Sequence, residues 1–237
     1  MKANRLAEVE TATGLLLLAC ALYSIWLVFG ADVQKFFARP AKPPVTAVSQ
    51  PPTFVYGPPE ARFTLVEYAD LECPYCKAAF PQLKQLVERI PELNWQWQHL
   101  PLAMHGEAAR YEARLATCAG WYGGNPAFWQ AVEAIYQHSR SNGAGLAVPI
   151  DQLGLQPAVS LQHLQACVQH DETVRTYVAE QIKAGVTKGI DATPTLELTD
   201  NRTGRTVRLP ALLDEAGMLS AMDWLATQGR ANAQSRR

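Results

Sequence analysis

The sequence has little excess charge of either sign. Its 21 lysines and arginines nearly balance its 22 aspartates and glutamates, so the formal net charge at pH 7 is −1. Nucleic-acid-binding proteins concentrate positive charge on one surface, and this composition gives no electrostatic reason to expect nucleic acid as a partner. The sequence also lacks repeats at the periods of solenoid proteins, which excludes a stacked-repeat architecture.

Cysteine is scarce, with five residues in a chain of 237. There is one CxxC pair, without a second pair or a set of cysteines and histidines at zinc-finger spacing. A structural zinc site needs four such ligands, so we predict no bound metal, and we expect no other cofactor.

The most informative motif that is present is Cys73-Pro74-Tyr75-Cys76. A predicted strand at 64–68 precedes it and a predicted helix at 77–87 follows it, a context that favours redox chemistry over metal binding. Pro74 suits the first helical position. The free N–H groups and the dipole of the helix would stabilise a thiolate on Cys73, which we predict as the attacking thiol. Cys76 lies one turn inside and is predicted to resolve mixed disulfides.

The N-terminal part of the chain is predicted to be a membrane anchor. Residues 13–30 contain eighteen residues without a charge, close to the minimum that spans a bilayer, and would follow a cytoplasmic N-terminus at 1–12. A cleaved signal peptide and a lipoprotein signal ending at Cys20 are the alternatives. Basic residues flank the segment on both sides, so charge does not set its orientation. A CxxC of the oxidising type favours a location of the domain outside the reducing cytosol.

The predicted domain organisation follows from composition. A proline-rich, semi-rigid linker is expected at 31–56, a globular domain at 57–229 and a disordered polar tail at 230–237. A helical insertion at about 104–175 separates a β-α-β unit from a β-β-α unit, which predicts a two-layer α/β domain. His105 is expected to cap the helix that follows it, and the alternative is that it tunes the active site. The aromatic residues expected in the core are Trp95, Trp97, Trp121, Phe128, Trp129 and Trp224.

Two segments, 66–76 (VEYADLECPYC) and 185–195 (GVTKGIDATPT), resemble the DsbA-like branch of the thioredoxin superfamily in a membrane-anchored form. The resemblance spans roughly residues 57–228 and implies a thioredoxin-like fold with an inserted helical subdomain. It also implies that Pro194 is cis and lies against Cys73 and Cys76. The backbone of Thr193 would then pair with an extended substrate segment.

The same resemblance implies roles for three further residues. Glu67 would be a buried acid that helps to move the proton of the second thiol, and the alternative is a partly exposed strand glutamate in a salt bridge. A basic partner on the neighbouring strand is not evident, because Gln98 and His99 occupy that region. Some relatives carry a structural disulfide in the insertion, which would join Cys118 to Cys167, and the alternative is two buried free thiols.

The function expected from these features is that of a thiol:disulfide oxidoreductase that introduces disulfide bonds into exported proteins through Cys73 and Cys76. Its expected substrates are unfolded or cysteine-containing exported proteins. The resemblance implies reoxidation by a quinone-linked membrane enzyme, DsbB-like or VKOR-like, or else coupling to a membrane reductant. The expected location is the bacterial inner membrane, single-pass, with the catalytic domain in the periplasm. A reductase or isomerase is one alternative, and a non-enzymatic, membrane-tethered metal chaperone or scaffold is another.

Overall fold

A mixed sheet of five strands forms the centre of the part that the structure describes. This computed structural model describes Tyr23 and residues 53–155, 160–211 and 213–234, with side chains up to residue 227. The transmembrane helix predicted at 13–30 lies outside the described residues except for Tyr23, as does the N-terminus predicted at 1–12. Within the described ranges, no helix is both long and apolar enough to cross a membrane.

The strands alternate in direction except at the centre of the sheet. Their spatial order is β1-β3-β2-β4-β5, and only the central neighbours β2 and β3 run parallel among these pairs. The bounds are β1 Val55–Tyr56, β2 Phe63–Ala69, β3 Leu93–His99, β4 Thr195–Asp200 and β5 Arg205–Leu209. The parallel pair requires a crossover, and the first long helix supplies it.

Helices cover the sheet and build the insertion. They are α1 Pro74–Arg89, α2 Gly106–His138, α3 Leu161–His170, α4 Glu172–Thr187 and α5 Glu215–Gln234. Two short 3₁₀ turns, Ala103–His105 and Ile150–Gln152, lie between them. Helices α2 and α3 form the predicted insertion, and α4 returns the chain to the sheet, where it packs against β3.

Aromatic side chains join the sheet to the insertion. Trp95 and Trp97 of β3 pack against Phe128 and Trp129 of α2, with the rings of Trp95 and Trp129 centred 4.6 Å apart. These four side chains are buried, as predicted from the sequence. Trp224 is different, because it is half exposed on α5, and its predicted place in the core is wrong.

The boundary between linker and domain lies earlier than predicted. Phe54 is buried in the core, and β1 pairs with β3 inside the range assigned to the linker at 31–56. The ring of Phe54 stacks on the ring of Phe128, with the ring centroids 3.8 Å apart. An apolar segment after the last prolines of the linker therefore belongs to the domain, which begins before residue 57.

One interruption in α2 follows from the sequence, and one helix end differs from the sequence prediction. Glycines and a proline at 123–126 predict a break between two helices within 107–138, and the non-helical angles of Gly124 (φ 75°, ψ −175°) confirm it, since two helical segments meet there at a kink. The last helix continues to Gln234, into the tail predicted to be disordered at 230–237. That prediction is wrong for residues 230–234, where alanine and glutamine are good helix formers.

Candidate active site

The two thiols of the CxxC motif lie at the start of α1, which follows strand β2 in the chain after a short loop. Cys73 is the residue before the first helical turn, with extended backbone angles, and Pro74 occupies the first helical position. Cys76 lies on the first turn and is buried. Both thiols are free, so the structure represents the reduced, dithiol form.

The surroundings of Cys73 favour a thiolate. The hydrogen bond from Cys76 makes the largest contribution to lowering the pKa of the Cys73 thiol to about 5, although burial acts in the opposite direction. Thr193 and the backbone N–H groups of Tyr75 and Cys76 lower the pKa further. The first N–H groups of a helix have no partner within the helix, which leaves them free to bond the sulfur. Cys73 is therefore ionised at neutral pH.

The surroundings of Cys76 favour the protonated thiol. Burial raises the pKa of Cys76 well above its usual range, and the hydrogen bond to Cys73 and the charge of Glu67 raise it further. The two thiols therefore have opposite protonation states at neutral pH. This arrangement gives one ready nucleophile, Cys73, and one thiol that must lose a proton before it can attack.

The segment before β4 lies against Cys73. The peptide bond between Thr193 and Pro194 is cis, as the resemblance implied. Sγ of Cys73 lies 3.3 Å from the carbonyl oxygen of Thr193, to which it can donate only while it is protonated. The geometry thus brings together two motifs that lie 120 residues apart in the sequence. Tyr75, between the two cysteines, is three-quarters exposed beside them.

Glu67 is a fully buried acid on β2. It pairs in register with Trp97 of β3, on the face of the sheet that packs against the aromatic core. Burial raises the pKa of Glu67 to about 8, with a smaller contribution from the charge of Cys73. Neither carboxylate oxygen makes a hydrogen bond of normal geometry within the described ranges. The alternative interpretation of Glu67, as a partly exposed strand glutamate in a salt bridge, is therefore wrong.

Neither Gln98 nor His99, the residues in the region where a basic partner was sought, provides Glu67 with a positive charge. Gln98 lies on the opposite face of the sheet and donates to the carbonyl oxygen of Gln181. His99 lies on the face of Glu67, but burial lowers its pKa to about 3, so its ring is neutral. That ring accepts from the indole of Trp97 at 3.0 Å. Among the residues that the structure describes, burial and not a neighbouring positive charge therefore sets the ionisation of Glu67.

The other two cysteines of the domain form a bond away from the catalytic pair. Cys118 of α2 and Cys167 of α3 are joined by a disulfide across a sequence separation of 49 residues. Both residues are buried in the insertion. The bond therefore fastens one helix of the insertion to another, while Cys73 and Cys76 remain free to react.

The sequence analysis missed polar side chains that hold the loop before Cys73. Asp70 accepts from the backbone N–H groups of Leu102 at 2.7 Å and of Glu72 at 2.8 Å. The Nδ1 atom of His105 lies 2.7 Å from the same carboxylate of Asp70. His105 occupies the position before α2, but its side chain makes no capping hydrogen bond, so the predicted cap is wrong. The sequence offered one signal for these contacts, namely the two acidic residues Asp70 and Glu72 just before Cys73.

A family model described as Thioredoxin matches residues 49–213 of this chain. The chain belongs to the thioredoxin family. The matched span includes both cysteines of the CxxC motif, Glu67 and the segment of Pro194, so family membership and the site geometry refer to the same part of the protein.

Solved structures narrow the position within the thioredoxin family. DsbA2 of Pseudomonas aeruginosa is 47% identical, with a TM-score of 0.68, and the match covers 75% of this chain and 97% of that one. A thioredoxin-like oxidoreductase from Silicibacter pomeroyi is 25% identical, with a TM-score of 0.59 and coverage of 76% and 95%. The domain is a DsbA-like member of the thioredoxin family, with the fold of the thiol–disulfide oxidoreductases.

Curated relatives match over a part of their length. The Na(+)/H(+) antiporter NhaA 1 of Salinispora arenicola is 31% identical over 160 residues, which cover 67% of this chain and 23% of that protein. The chain spans between 23% and 31% of the length of three such antiporters. The likeness therefore concerns a segment of these proteins.

Proposed function

We propose that this protein oxidises cysteine pairs in exported proteins by thiol–disulfide exchange. The observation that carries the proposal is the opposite protonation of Cys73 and Cys76. A group that stabilises the Cys73 thiolate stabilises the reduced dithiol over the disulfide, because only the reduced form contains that thiolate. Because the reduced form is stabilised in this way, the disulfide form is easily reduced. The oxidised enzyme therefore oxidises other thiols.

The exchange proceeds in two displacements. A substrate thiolate attacks Sγ of Cys73 in the oxidised enzyme, the bond between Cys73 and Cys76 breaks, and Cys76 leaves with the electron pair. A second substrate thiolate then attacks the substrate sulfur of the mixed disulfide, and Cys73 leaves as a thiolate. The substrate loses two electrons and gains a disulfide, while the enzyme gains two electrons and becomes the dithiol.

Glu67 is proposed to exchange a proton with Cys76. When Cys76 leaves as a thiolate it needs a proton, and when it resolves a mixed disulfide during reoxidation it must lose one. The charge of Glu67 raises the pKa of Cys76, so the ionisation of each group depends on the other. An acid with a pKa of about 8 can hold a proton and release it near neutral pH, as a general acid or base must.

The substrate is proposed to lie along the segment before β4. The carbonyl oxygen of Thr193 is already a partner of the Cys73 thiol, which places this backbone next to the reacting sulfur. An extended substrate chain could pair with it through main-chain hydrogen bonds, with little dependence on substrate sequence. Tyr75 would supply an exposed apolar contact.

Localisation and partners are proposed from the sequence. The apolar segment at 13–30 and the proline-rich linker support an anchor in the bacterial inner membrane, with the domain in the periplasm. Reoxidation would come from a quinone-linked membrane enzyme of the DsbB-like or VKOR-like kind. The antiporters share a segment with this chain, and we assign that likeness to the thioredoxin domain and not to ion transport.

Activity assays distinguish the proposed oxidase from its alternatives. The oxidised full-length protein, mixed with a reduced and unfolded substrate protein, is expected to form one substrate disulfide for each enzyme disulfide consumed. A reductase would instead reduce insulin disulfides and leave the reduced substrate unchanged. A metal chaperone or scaffold would bind metal stoichiometrically at the two thiols and form no reducible disulfide.

Replacing Glu67 with glutamine is expected to slow the step in which Cys76 loses its proton by about 100-fold at pH 7, the usual size of general acid–base catalysis. In the wild-type protein the rate of that step should rise with pH through about 8, where Glu67 ionises. Stopped-flow reoxidation of the dithiol with a small disulfide measures this rate. A Glu67→Gln rate profile that matched the wild-type profile would remove Glu67 from the mechanism.

The same substitution has an expected effect on stability. The pKa of Glu67 is raised in the folded state, from 4.5 to about 8, so folding binds a proton between these pH values. Its contribution to stability is therefore complete below pH 4.5 and is lost as the pH rises through 8. The Glu67→Gln protein should lose less stability than wild type over this pH window, measured by urea unfolding of the oxidised form. Glu180→Gln, at an exposed position on α4, is the matched control.

A further inference from the structure

Two buried carboxyl groups next to the catalytic cysteine have no part in the exchange steps above. Glu72 directly precedes Cys73 in the loop after β2, and Glu112 lies in α2 of the insertion. Both are fully buried. The contact between these two side chains links the loop that bears Cys73 to helix α2 of the insertion. Two neighbouring carboxyl groups that are both buried do not readily both ionise, because burial and like charge each oppose the second charge.

The surroundings of Glu72 are built to hold a carboxylate. Its side chain accepts from the hydroxyl of Ser139 at 2.7 Å and from the N–H of Gly145 at 3.1 Å. Its main-chain oxygen accepts from the N–H of Asn142 at 2.8 Å. Ser141 and Asn142 have φ values of 62° and 57°, left-handed angles that form the turn of the 139–145 loop beside Glu72.

These donors decide the charge of Glu72. Burial alone would raise the pKa of this carboxyl, but hydrogen bonds from Glu112, Ser139 and the backbone of the 139–145 loop lower it below its usual value. Glu72 is therefore the ionised member of the pair. The amine of Lys77 donates to the carbonyl oxygen of Ser139 at 2.9 Å, which fastens the same loop to α1.

The surroundings of Glu112 are built to hold a proton. Within the described ranges no donor reaches either of its carboxylate oxygens, yet its carboxyl lies within hydrogen-bonding reach of Glu72. Two carboxyl oxygens can share a hydrogen bond only if one of them carries hydrogen. Burial raises the pKa of Glu112 to about 10, helped by the hydrogen bond and charge of Glu72 and by the charge of Asp70, and Lys77 opposes this.

We propose that Glu72 and Glu112 form a buried acid pair that positions the loop bearing Cys73, with the proton held on Glu112 and the negative charge on Glu72. Glu72 is thus a positioning residue for the nucleophile, and Glu112 locks it in place. This inference rests on the proposed role of Cys73 in disulfide exchange. A fixed negative charge one residue from the Cys73 thiolate also limits how strongly oxidising the enzyme becomes, because like charges repel.

Infrared difference spectra of the full-length reduced protein at pH 7 test where the proton lies. Glu112→Gln is expected to remove one carbonyl band of a buried, protonated carboxylic acid, and Glu72→Gln should instead remove a carboxylate band. Glu67→Gln identifies the band of the other buried acid, which titrates near pH 8 in the wild-type protein. The exposed Glu180→Gln variant should leave all protonated-acid bands in place. An unchanged acid band in Glu112→Gln overturns the assignment of the proton.

Thiol titration and equilibration with glutathione test the effect on Cys73. Because glutamine at position 112 keeps a neutral donor, Glu112→Gln should stay within two-fold of wild type in the exchange equilibrium. Glu72→Gln removes a charge, so it should lower the pKa of Cys73 and shift the equilibrium about ten-fold toward the reduced enzyme. Ser139→Ala loosens the loop but keeps the charge, and it should leave the pKa of Cys73 unchanged. Equal shifts in Glu72→Gln and Glu112→Gln, or none in Glu72→Gln, would refute the proposal.

The proposal of the acid pair and the proposed function can fail independently of each other. If Cys73→Ser retained exchange activity, the proposed function would fail whatever the infrared spectra showed. If Cys73→Ser lost activity while Glu112→Gln kept its acid band, only the acid pair would fail. Should Glu72→Gln not fold, the Glu112→Gln spectrum and its near-wild-type equilibrium still decide the assignment.

Discussion

Replacing Cys73 with serine is expected to abolish thiol–disulfide exchange, because the hydroxyl of serine cannot form the mixed disulfide that both displacements require. The structure makes Cys73 the ionised sulfur of the pair and places it 3.3 Å from the backbone carbonyl oxygen of Thr193. The loss should exceed about 1,000-fold, because removal of a catalytic nucleophile can cost up to about 10⁶-fold in kcat. Formation of disulfides in a reduced substrate protein, followed by thiol quantification, measures it.

Replacing Cys76 should give a different defect. With Cys73 intact, the enzyme can still attack a disulfide, but the mixed disulfide has no internal thiol to resolve it. Cys76→Ser should therefore accumulate covalent complexes that disappear on addition of reductant, visible on a non-reducing gel. The double variant Cys118→Ser/Cys167→Ser is the matched control, since it makes the same change at cysteines outside the site. Covalent complexes in Cys73→Ser instead of Cys76→Ser would reverse the assigned roles.

Removing the disulfide of the insertion is expected to lower stability strongly. Cys118 and Cys167 close a loop with a sequence separation of 49 residues, and the loss of that cross-link frees the unfolded chain. Loop-closure entropy predicts a decrease of about 4 kcal/mol in the free energy of unfolding for Cys118→Ala/Cys167→Ala. For a domain of this size, the corresponding drop in Tm is roughly 8–16 °C. Urea and thermal unfolding in the absence of reductant measure both.

A matched comparison isolates the cross-link from the packing of the two sulfurs. In excess reductant the unfolded wild-type chain also lacks the bond, so the stabilities of the two proteins should approach each other. The remaining difference then reports the two buried sulfur atoms. A difference below about 1 kcal/mol under oxidising conditions would contradict a stabilising cross-link, given the usual size of such effects.

The fold was predictable where the sequence carries local signals. The strand at Phe63–Ala69 and the helix behind Pro74 follow from an apolar run, a helix-starting proline and a regular pattern of buried positions. The edges of the domain were harder. A short strand at 53–56 can be expected from its apolar residues, but only the contacts of Phe54 and β1 with Phe128 and β3, far along the chain, place it in the core.

The site was predictable where short motifs carry its chemistry, and not where distant side chains meet. The CxxC pair and the segment of Pro194 stand out as motifs, and Glu67 came from the resemblance. The contact of Glu72 with Glu112, and that of Asp70 with His105, cross 40 and 35 residues. Nothing in a single sequence states that α2 begins beside the loop of Cys73, so these partners required the structure.

The central claim is that the enzyme is an oxidant, and the redox equilibrium of Cys73 and Cys76 tests it most directly. The full-length protein is equilibrated with defined ratios of reduced and oxidised glutathione at pH 7, and the fraction of dithiol is measured after acid trapping. A potential more positive than about −180 mV, toward that of DsbA, is the predicted result. A potential near roughly −270 mV, that of thioredoxin, would contradict the account and identify a reductase.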